Sequence, residues 1–185
     1  MALKKYFTIY RPFLQFLAIF FGVHLFFTFL YQSYLNTYIS KTISVDAITQ
    51  NVAKQAAFAM RLVDKNAYYV TNKTNSGVQL FYKNREVSRV VEGCNAMSII
   101  ILFASFITAF SGYWKPTLLY IIFGSILIYF CNVLRIALLS ILFYELPQYK
   151  NVLHAVVFPA IIYAIVFALW VLWTTKFYYY ATKHS

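Results

Sequence analysis

Three residues that could act together in a reaction stand far apart in the 185-residue chain: Cys94, Arg135 and His154. A cysteine thiolate is a strong nucleophile. An imidazole can take up a proton and return it near neutral pH. A guanidinium stays charged and can hold a thiolate or a developing oxyanion. Together these residue types suit acyl transfer through a thioester on Cys94.

Arg135 is unusual because of its surroundings. It lies in "FCNVLRIALLSILF" (130–143), a run that is otherwise almost wholly apolar. A charge inside a membrane is costly, so an ionisable residue in such a run is by default a candidate functional residue.

The composition indicates a membrane protein. Hydrophobic residues make up 62% of the chain and charged residues 11%, against about 45–50% and about 25% in soluble domains. The net charge of +11 does not indicate nucleic acid, because the basic residues stand singly or beside apolar runs, where they face anionic headgroups. We therefore expect membrane lipids as partners and no nucleic acid.

Four apolar runs are candidate spans: 13–31, 95–113, 117–144 and 155–175. A helix needs roughly 20 apolar residues to cross about 30 Å of hydrocarbon. The third run would be about 42 Å long as one helix, so it must tilt, break or project. Residues 145–154 are predicted as a turn, and Pro159 is expected in or near the first turn of the fourth span.

Residues 32–93 are polar and form an insert between the first two spans. Apolar residues at helical spacing predict an amphipathic helix over 45–63; they are Val45, Ile48, Val52, Ala56, Ala59 and Val63. Residues 78–91 predict a β-hairpin around "KNRE". The predicted fold is mainly α: one polytopic membrane domain over 1–185, with about four transmembrane helices and a small α+β insert.

The basic residues that flank the spans predict the orientation. With four spans both termini lie on one side, which the positive-inside rule makes cytoplasmic; the flanking residues are Lys4, Lys5, Arg11, Lys115, Lys176 and Lys183. The insert is basic too, but a loop of about 60 residues translocates largely regardless of its charge. The insert is then extracytoplasmic. Cys94 and His154 lie at the outer starts of two spans, and Arg135 about 27 Å along a third.

Each of the three residues also has an ordinary structural explanation. Arg135 can snorkel to the outer interface. Cys94 can be an inert small residue or can pair with Cys131, which stands one turn before Arg135 and points the same way. His154 alone would be a loop histidine. For the whole protein the alternatives are a non-enzymatic membrane scaffold or assembly factor, and a transporter or channel subunit. Against transport, no internal repeat is evident.

Three motifs in order resemble the exosortase/archaeosortase family of membrane transpeptidases. They are "EGCNAMS" (92–98), "NVLRIALLS" (132–140) and "NVLHAVVFP" (151–159). The chain is most similar to the short exosortase F type, over about residues 80–175. In the family the ordered Cys, Arg and His are the proposed catalytic residues, and they correspond here to Cys94, Arg135 and His154. The same motifs contain the candidate supporting residues Glu92, Asn95 and Asn132.

The resemblance implies a substrate class and a location. Such enzymes process exported proteins that carry a C-terminal sorting signal: a short motif, one transmembrane helix and a basic tail. Cleavage takes place on the outer face of the bacterial cytoplasmic (inner) membrane, and the new C-terminus can pass to a surface glycan or lipid acceptor. No metal or organic cofactor is implied. One departure concerns the turn after the thiol, where the family commonly has Cys-Ser-Gly or Cys-Ala-Gly and this chain has Cys94-Asn95-Ala96.

The orientation can be tested by labelling single cysteines in a cysteine-free variant. A membrane-impermeant maleimide added from outside should label position 75 and fail to label position 115, because the insert is expected outside and the 114–116 turn inside. The reverse pattern would put Cys94 on the cytoplasmic side and rule out a role in surface sorting.

Overall fold

Three helices are long and apolar enough to cross a membrane. The structure is a computed structural model that describes residues 2–40, 45–71, 77–110 and 113–177. Within these ranges the candidate spans are Tyr10–Tyr38, Trp114–Glu145 and Pro147–Lys176. The first belongs to helix α1 (Ala2–Ser40) and the second forms helix α4 (Trp114–Glu145). The mainly helical membrane fold is therefore confirmed.

The second predicted span forms a shorter helix than expected. Helix α3 (Met97–Ala109) has 13 residues, which gives a length of about 20 Å against a hydrocarbon thickness of about 30 Å. Its N-terminal end is shortened because Asn95 and Ala96 form a turn before the helix. Three of the four predicted spans thus have the length to cross a membrane, and α3 packs between α1 and α4.

Helix α4 is one unbroken helix of 32 residues. Its length of about 48 Å exceeds the roughly 30 Å of hydrocarbon even when a helix tilts by about 40°, so part of it projects. The last turns pack against the insert, where Ser140 Oγ lies 2.6 Å from Ser88 Oγ. Near its end Glu145 accepts a hydrogen bond of 2.9 Å from Lys83, and that bond raises the pKa of Lys83. The excess length of α4 therefore joins the membrane helices to the insert.

The insert begins with helix α2 (Ala47–Arg61). The Asp46 carboxylate caps it by accepting the N–H groups of Ile48 and Thr49, both at 3.0 Å, which is a preferred way to satisfy the first donors of a helix. The predicted amphipathic helix is confirmed, since its apolar face is buried around Val52 and Ala56. The extension of that helix to Val63 is wrong: α2 ends before it, and Val63 is 65% exposed.

A three-stranded antiparallel sheet follows, with strands β1 (Tyr68–Thr71), β2 (Val78–Tyr82) and β3 (Arg85–Val90) in that order. The predicted hairpin is confirmed. Its turn residues Lys83 and Asn84 have φ of 48° and 61°, as a two-residue type I′ turn requires. The sequence analysis missed β1, because this short strand is exposed along its length. The buried side of the sheet packs on α2 and α4.

The last spanning run is helical from Pro147 but irregular. It consists of a 3₁₀ turn (Pro147–Tyr149), helix α5 (Lys150–Val152), a π-turn (Leu153–Val157), helix α6 (Phe158–Leu172) and a π-turn (Trp173–Phe177). The predicted turn over 145–154 is therefore largely helical, with the break at Leu146 (φ −130°, ψ 62°). Pro159 lies in the first turn of α6, but inside the longer span that begins at Pro147. Because proline lacks an N–H, we attribute the adjoining π-turn to it.

Gly124 of α4 sets how closely α3 approaches. Gly124 is buried, and a Cβ atom there would overlap the ring of Phe103 on α3. Phe103 is itself only 1% exposed and is packed on all sides. Small residues allow this kind of close contact between membrane helices.

Replacing Gly124 with alanine should therefore destabilise the helix packing, by about 1–3 kcal/mol on the scale of overpacked cores. Gly22→Ala is the matched control, because a Cβ at Gly22 would meet no atom within 4 Å. Thermal unfolding in detergent should show a lower midpoint for Gly124→Ala and an unchanged one for Gly22→Ala. Equal midpoints for the two variants would contradict the proposed close contact.

Candidate active site

Cys94, Arg135 and His154 line one cavity of about 230 Å³. The cavity lies between β3, the C-terminal half of α4 and the helical segment that begins at Lys150. The other lining residues come from the same three elements; they are Ser88, Arg89, Val90, Ile136, Leu139, Ser140, Phe143, Lys150 and Asn151. The structure thus brings together the three residues that the sequence analysis singled out.

Cys94 is half-buried at the end of a 3₁₀ turn, Glu92–Cys94. Its N–H donates to the Val91 carbonyl at 2.8 Å. Two residues on, Ala96 has φ of +65°, a left-handed conformation that costs an L-residue roughly 1–2 kcal/mol and costs glycine nothing. The chain therefore makes a left-handed turn at Ala96 in spite of the cost to an alanine.

Asn95 connects this turn to three helices. It is 1% exposed, and its Nδ2 donates to Tyr31 Oη of α1 at 2.6 Å and to Thr49 Oγ1 of α2 at 3.1 Å. Its Oδ1 accepts the N–H of Met97, the first residue of α3, at 3.1 Å. This corrects the predicted position of the thiol at the start of a span: α3 begins at Met97, whose N–H Asn95 accepts, and Cys94 lies in the turn before it.

Asn132 links the thiol-bearing turn to Arg135. It is also 1% exposed, and its Nδ2 donates to the Cys94 carbonyl at 2.7 Å. Its Oδ1 lies 3.5 Å from Arg135 Nη1, the limit of a hydrogen bond. The buried Asn132 side chain thus contacts Cys94 with its nitrogen and Arg135 with its oxygen.

The Arg135 guanidinium has no anionic partner among the described residues. The ion pairs found there are Lys83–Glu145 and Arg89–Glu86. Arg135 is half-buried, and its Nε is shielded from solvent without a hydrogen-bond partner in the described part of the chain. Apart from the long contact of Nη1 with Asn132, no described residue occupies the donors of the guanidinium.

His154 is exposed and lies in the π-turn Leu153–Val157. Single π-turns often occur at functional sites. The imidazole packs near the Phe143 ring, with 6.3 Å between the ring centroids. In the parts of the chain that the structure describes, neither ring nitrogen has a hydrogen-bond partner, so both can reach a ligand or water.

The remaining predicted residues lie outside the cavity lining. Cys94 and Cys131 are both free thiols, so the structure does not contain the disulfide between them that the sequence analysis left open. Cys131 does not line the cavity, although it is one turn from Arg135, and Glu92, Asn95 and Asn132 do not line it either. Within the described ranges, no three His, Cys, Asp or Glu side chains cluster as metal ligands would.

The cavity lining also contains residues that the sequence analysis missed. Arg89 and Lys150 add two cations to Arg135, and no lining residue is a carboxylate. Lys150 Nζ lies 5.1 Å from the Phe143 ring centroid. Leu139 stands four residues after Arg135 and four before Phe143, and Lys150 stands four residues before His154. Residues four apart are neighbours on a helix, so this spacing could have suggested them. No sequence pattern connects Arg89 of β3 to the site.

A protein-family model described as "Transmembrane exosortase" matches residues 9–172. The chain belongs to the transmembrane exosortase family. No curated protein and no solved structure matches it significantly. Membership of the exosortase family confirms the predicted resemblance and supports a transpeptidase-type role in a membrane. The match spans all three segments that form the cavity of this exosortase.

The role of Asn132 can be tested by its replacement with leucine, which has a similar size. The carbonyl of the half-buried Cys94 would lose its donor, and an unsatisfied polar group costs up to about 1–3 kcal/mol when it is fully buried. We expect Asn132→Leu to lower the thermal midpoint in detergent. Asn151→Leu should leave it nearly unchanged, because Asn151 is exposed. Equal effects would show that the Asn132 hydrogen bond does not hold the turn.

Proposed function

We propose that this exosortase-family protein is a cysteine peptidase or transpeptidase in which Cys94, Arg135 and His154 are the catalytic residues. One observation carries the proposal: these three side chains, from segments far apart in sequence, line one cavity of about 230 Å³. A thiol, a permanent cation and an imidazole are the groups that acyl transfer through a thioester needs. An inert cysteine or a lipid-facing arginine would have no reason to line the same cavity as the other two residues.

The reaction assigns one task to each residue. His154 takes the proton of the Cys94 thiol. The resulting thiolate attacks the carbonyl carbon of the scissile peptide bond, and the developing oxyanion is stabilised by the N–H groups of Arg135. His154 gives a proton to the leaving amine as the C–N bond breaks, which leaves a thioester on Cys94. Water or an acceptor nucleophile then attacks the thioester, His154 takes up the proton, and the Cys94 sulfur leaves.

The proposed substrates are exported proteins with a C-terminal sorting signal, cleaved on the outer face of the cytoplasmic membrane. The cavity lies where the projecting end of α4 meets the insert. A substrate anchored by one helix would present the peptide beside that helix at the same level. The proposal places residues 32–93 and the cavity on the outer side, with a surface glycan or lipid as the acceptor.

The proposed nucleophile predicts which variants fail. Cells that express Cys94→Ala or Cys94→Ser should accumulate exported proteins that retain a C-terminal helix and basic tail, because neither side chain supplies a thiolate. Cys131→Ala is the matched control, since Cys131 lies outside the cavity lining, and should process normally. Mass spectrometry of membrane-protein C-termini measures the difference. Unchanged C-termini in Cys94→Ala cells, with the variant present in the membrane, would refute the enzyme assignment.

A second variant distinguishes a catalytic arginine from an interfacial anchor. Lysine has a similar reach and charge, so Arg135→Lys should be mild if Arg135 only snorkels. An oxyanion needs the fixed donors of the guanidinium, and the loss of one such donor typically costs about 10²–10³ in rate. We expect Arg135→Lys to fail nearly as badly as Arg135→Ala at equal membrane abundance. Near-normal processing by the lysine variant would remove Arg135 from the mechanism.

A further inference from the structure

A second cavity extends the first along β3. It has a volume of about 300 Å³ and is lined by Glu86, Val87, Ser88, Arg89 and Lys150. Ser88, Arg89 and Lys150 also line the cavity that contains Cys94. The two cavities therefore adjoin along β3. Together they are called here the β3 groove, which leads from the thiol along the strand.

The β3 groove follows the edge of the strand rather than one of its faces. Consecutive side chains of a strand point to opposite faces of a sheet, yet the consecutive residues 86–90 all line the groove. Such a run can border one groove only along the edge, where the backbone is exposed. A bulge at Val87, where Leu80 pairs with Ser88 and Phe81 with Glu86, increases the local twist; bulges often lie next to active sites.

The outer edge of β3 has no strand beside it in the part of the chain that the structure describes. The strand order there is β1-β2-β3, so β3 pairs with β2 on one side only. Among the described residues, β3 has no backbone hydrogen bonds beyond those of its pairing with β2. An edge strand presents a row of unpaired N–H and C=O groups. An extended peptide that adds a strand to such an edge is a common mode of recognition.

The position of the edge suits delivery of a peptide bond to Cys94. β3 ends at Val90 and the chain then turns into Glu92–Cys94. A peptide of about five residues laid along β3 would extend about 17 Å. Its last residues would then enter the cavity where Cys94, Arg135 and His154 meet.

The anchored helix of the substrate and the charge of the groove decide which segment fits. The chain after the scissile bond leads into the transmembrane helix, so the segment before that bond is the one that can lie extended along the groove. Among its lining residues the groove has the cations Arg89, Arg135 and Lys150 and the carboxylate of Glu86. Glu86 pairs with Arg89 at 3.3 Å, which leaves a net positive groove that suits a neutral or acidic segment.

We propose that the substrate segment before the cleavage site binds the free edge of β3 as an added β-strand, which guides the scissile carbonyl to Cys94. This proposal rests on the proposed function, because it concerns the substrate of that reaction. In this mode most of the recognition comes from backbone hydrogen bonds between the substrate and β3. Side-chain preference is then expected at every second substrate residue, because alternate side chains of a strand share a face.

The test uses the unprocessed substrate that accumulates in Cys94→Ala cells. The Cys94→Ala, Cys131→Ala protein receives a single cysteine at β3 (Arg89→Cys) or, as the matched control, on the opposite edge strand β1 (Tyr69→Cys). Both parent residues are exposed. Single cysteines are placed at each of about six substrate positions before the cleavage site, and disulfides are formed by mild oxidation in membranes.

We expect Arg89→Cys to cross-link to substrate positions two residues apart, and Tyr69→Cys to cross-link to none. No cross-link at Arg89→Cys, equal cross-linking at Tyr69→Cys, or a spacing of three to four residues would each overturn strand addition. In those cases normal processing by the wild-type protein would leave the proposed function intact. If no unprocessed protein accumulates in Cys94→Ala cells, the proposed function fails and the docking proposal fails with it.

A second measurement uses the wild-type protein and therefore avoids any folding defect in the variants. Proline lacks the N–H that strand pairing needs, so proline placed at successive substrate positions should block processing at alternate positions. Loss of processing at every position, or at none, would contradict pairing with the edge of β3.

Discussion

The site depends on one constraint: the backbone between β3 and α3 is irregular, lies among packed helices, and must still satisfy its polar groups. Regular helices and strands pair their own N–H and C=O groups, whereas a turn in such a place cannot. Two buried asparagines supply the missing partners. Asn132 donates to the Cys94 carbonyl, and Asn95 accepts the first N–H of α3. The position of the thiol follows from these bonds.

The same two side chains connect distant parts of the fold. Asn95 ties the turn to α1 and α2 through Tyr31 and Thr49, and Asn132 ties it to α4. The thiol-bearing segment is therefore held by the first membrane helix, the insert and the central membrane helix together. Buried amides that are fully hydrogen-bonded specify one arrangement, because every alternative leaves a polar group unpaired.

The length of α4 fixes the position of the insert. An apolar run longer than the membrane is thick could have broken or tilted. Here it continues as one helix, and its last turns provide one wall of the cavity, including Arg135 and Phe143. The sheet packs on that projecting end, which brings β3 beside the catalytic candidates. The insert thereby becomes part of the site instead of a separate cap.

The amino-acid sequence by itself determined the membrane class, the amphipathic helix, the hairpin and the three candidate residues, because composition, periodicity and residue chemistry are local properties. It missed β1, which is short and exposed, and it overestimated α3, which runs from Met97 to Ala109 instead of over 95–113. Only the tertiary structure decided that Asn95 bonds to α1 and α2, that Cys131 lies outside the cavity lining, and that Arg89 belongs to it. Those outcomes depend on which distant segments pack together, and long-range packing leaves no periodic pattern in the chain.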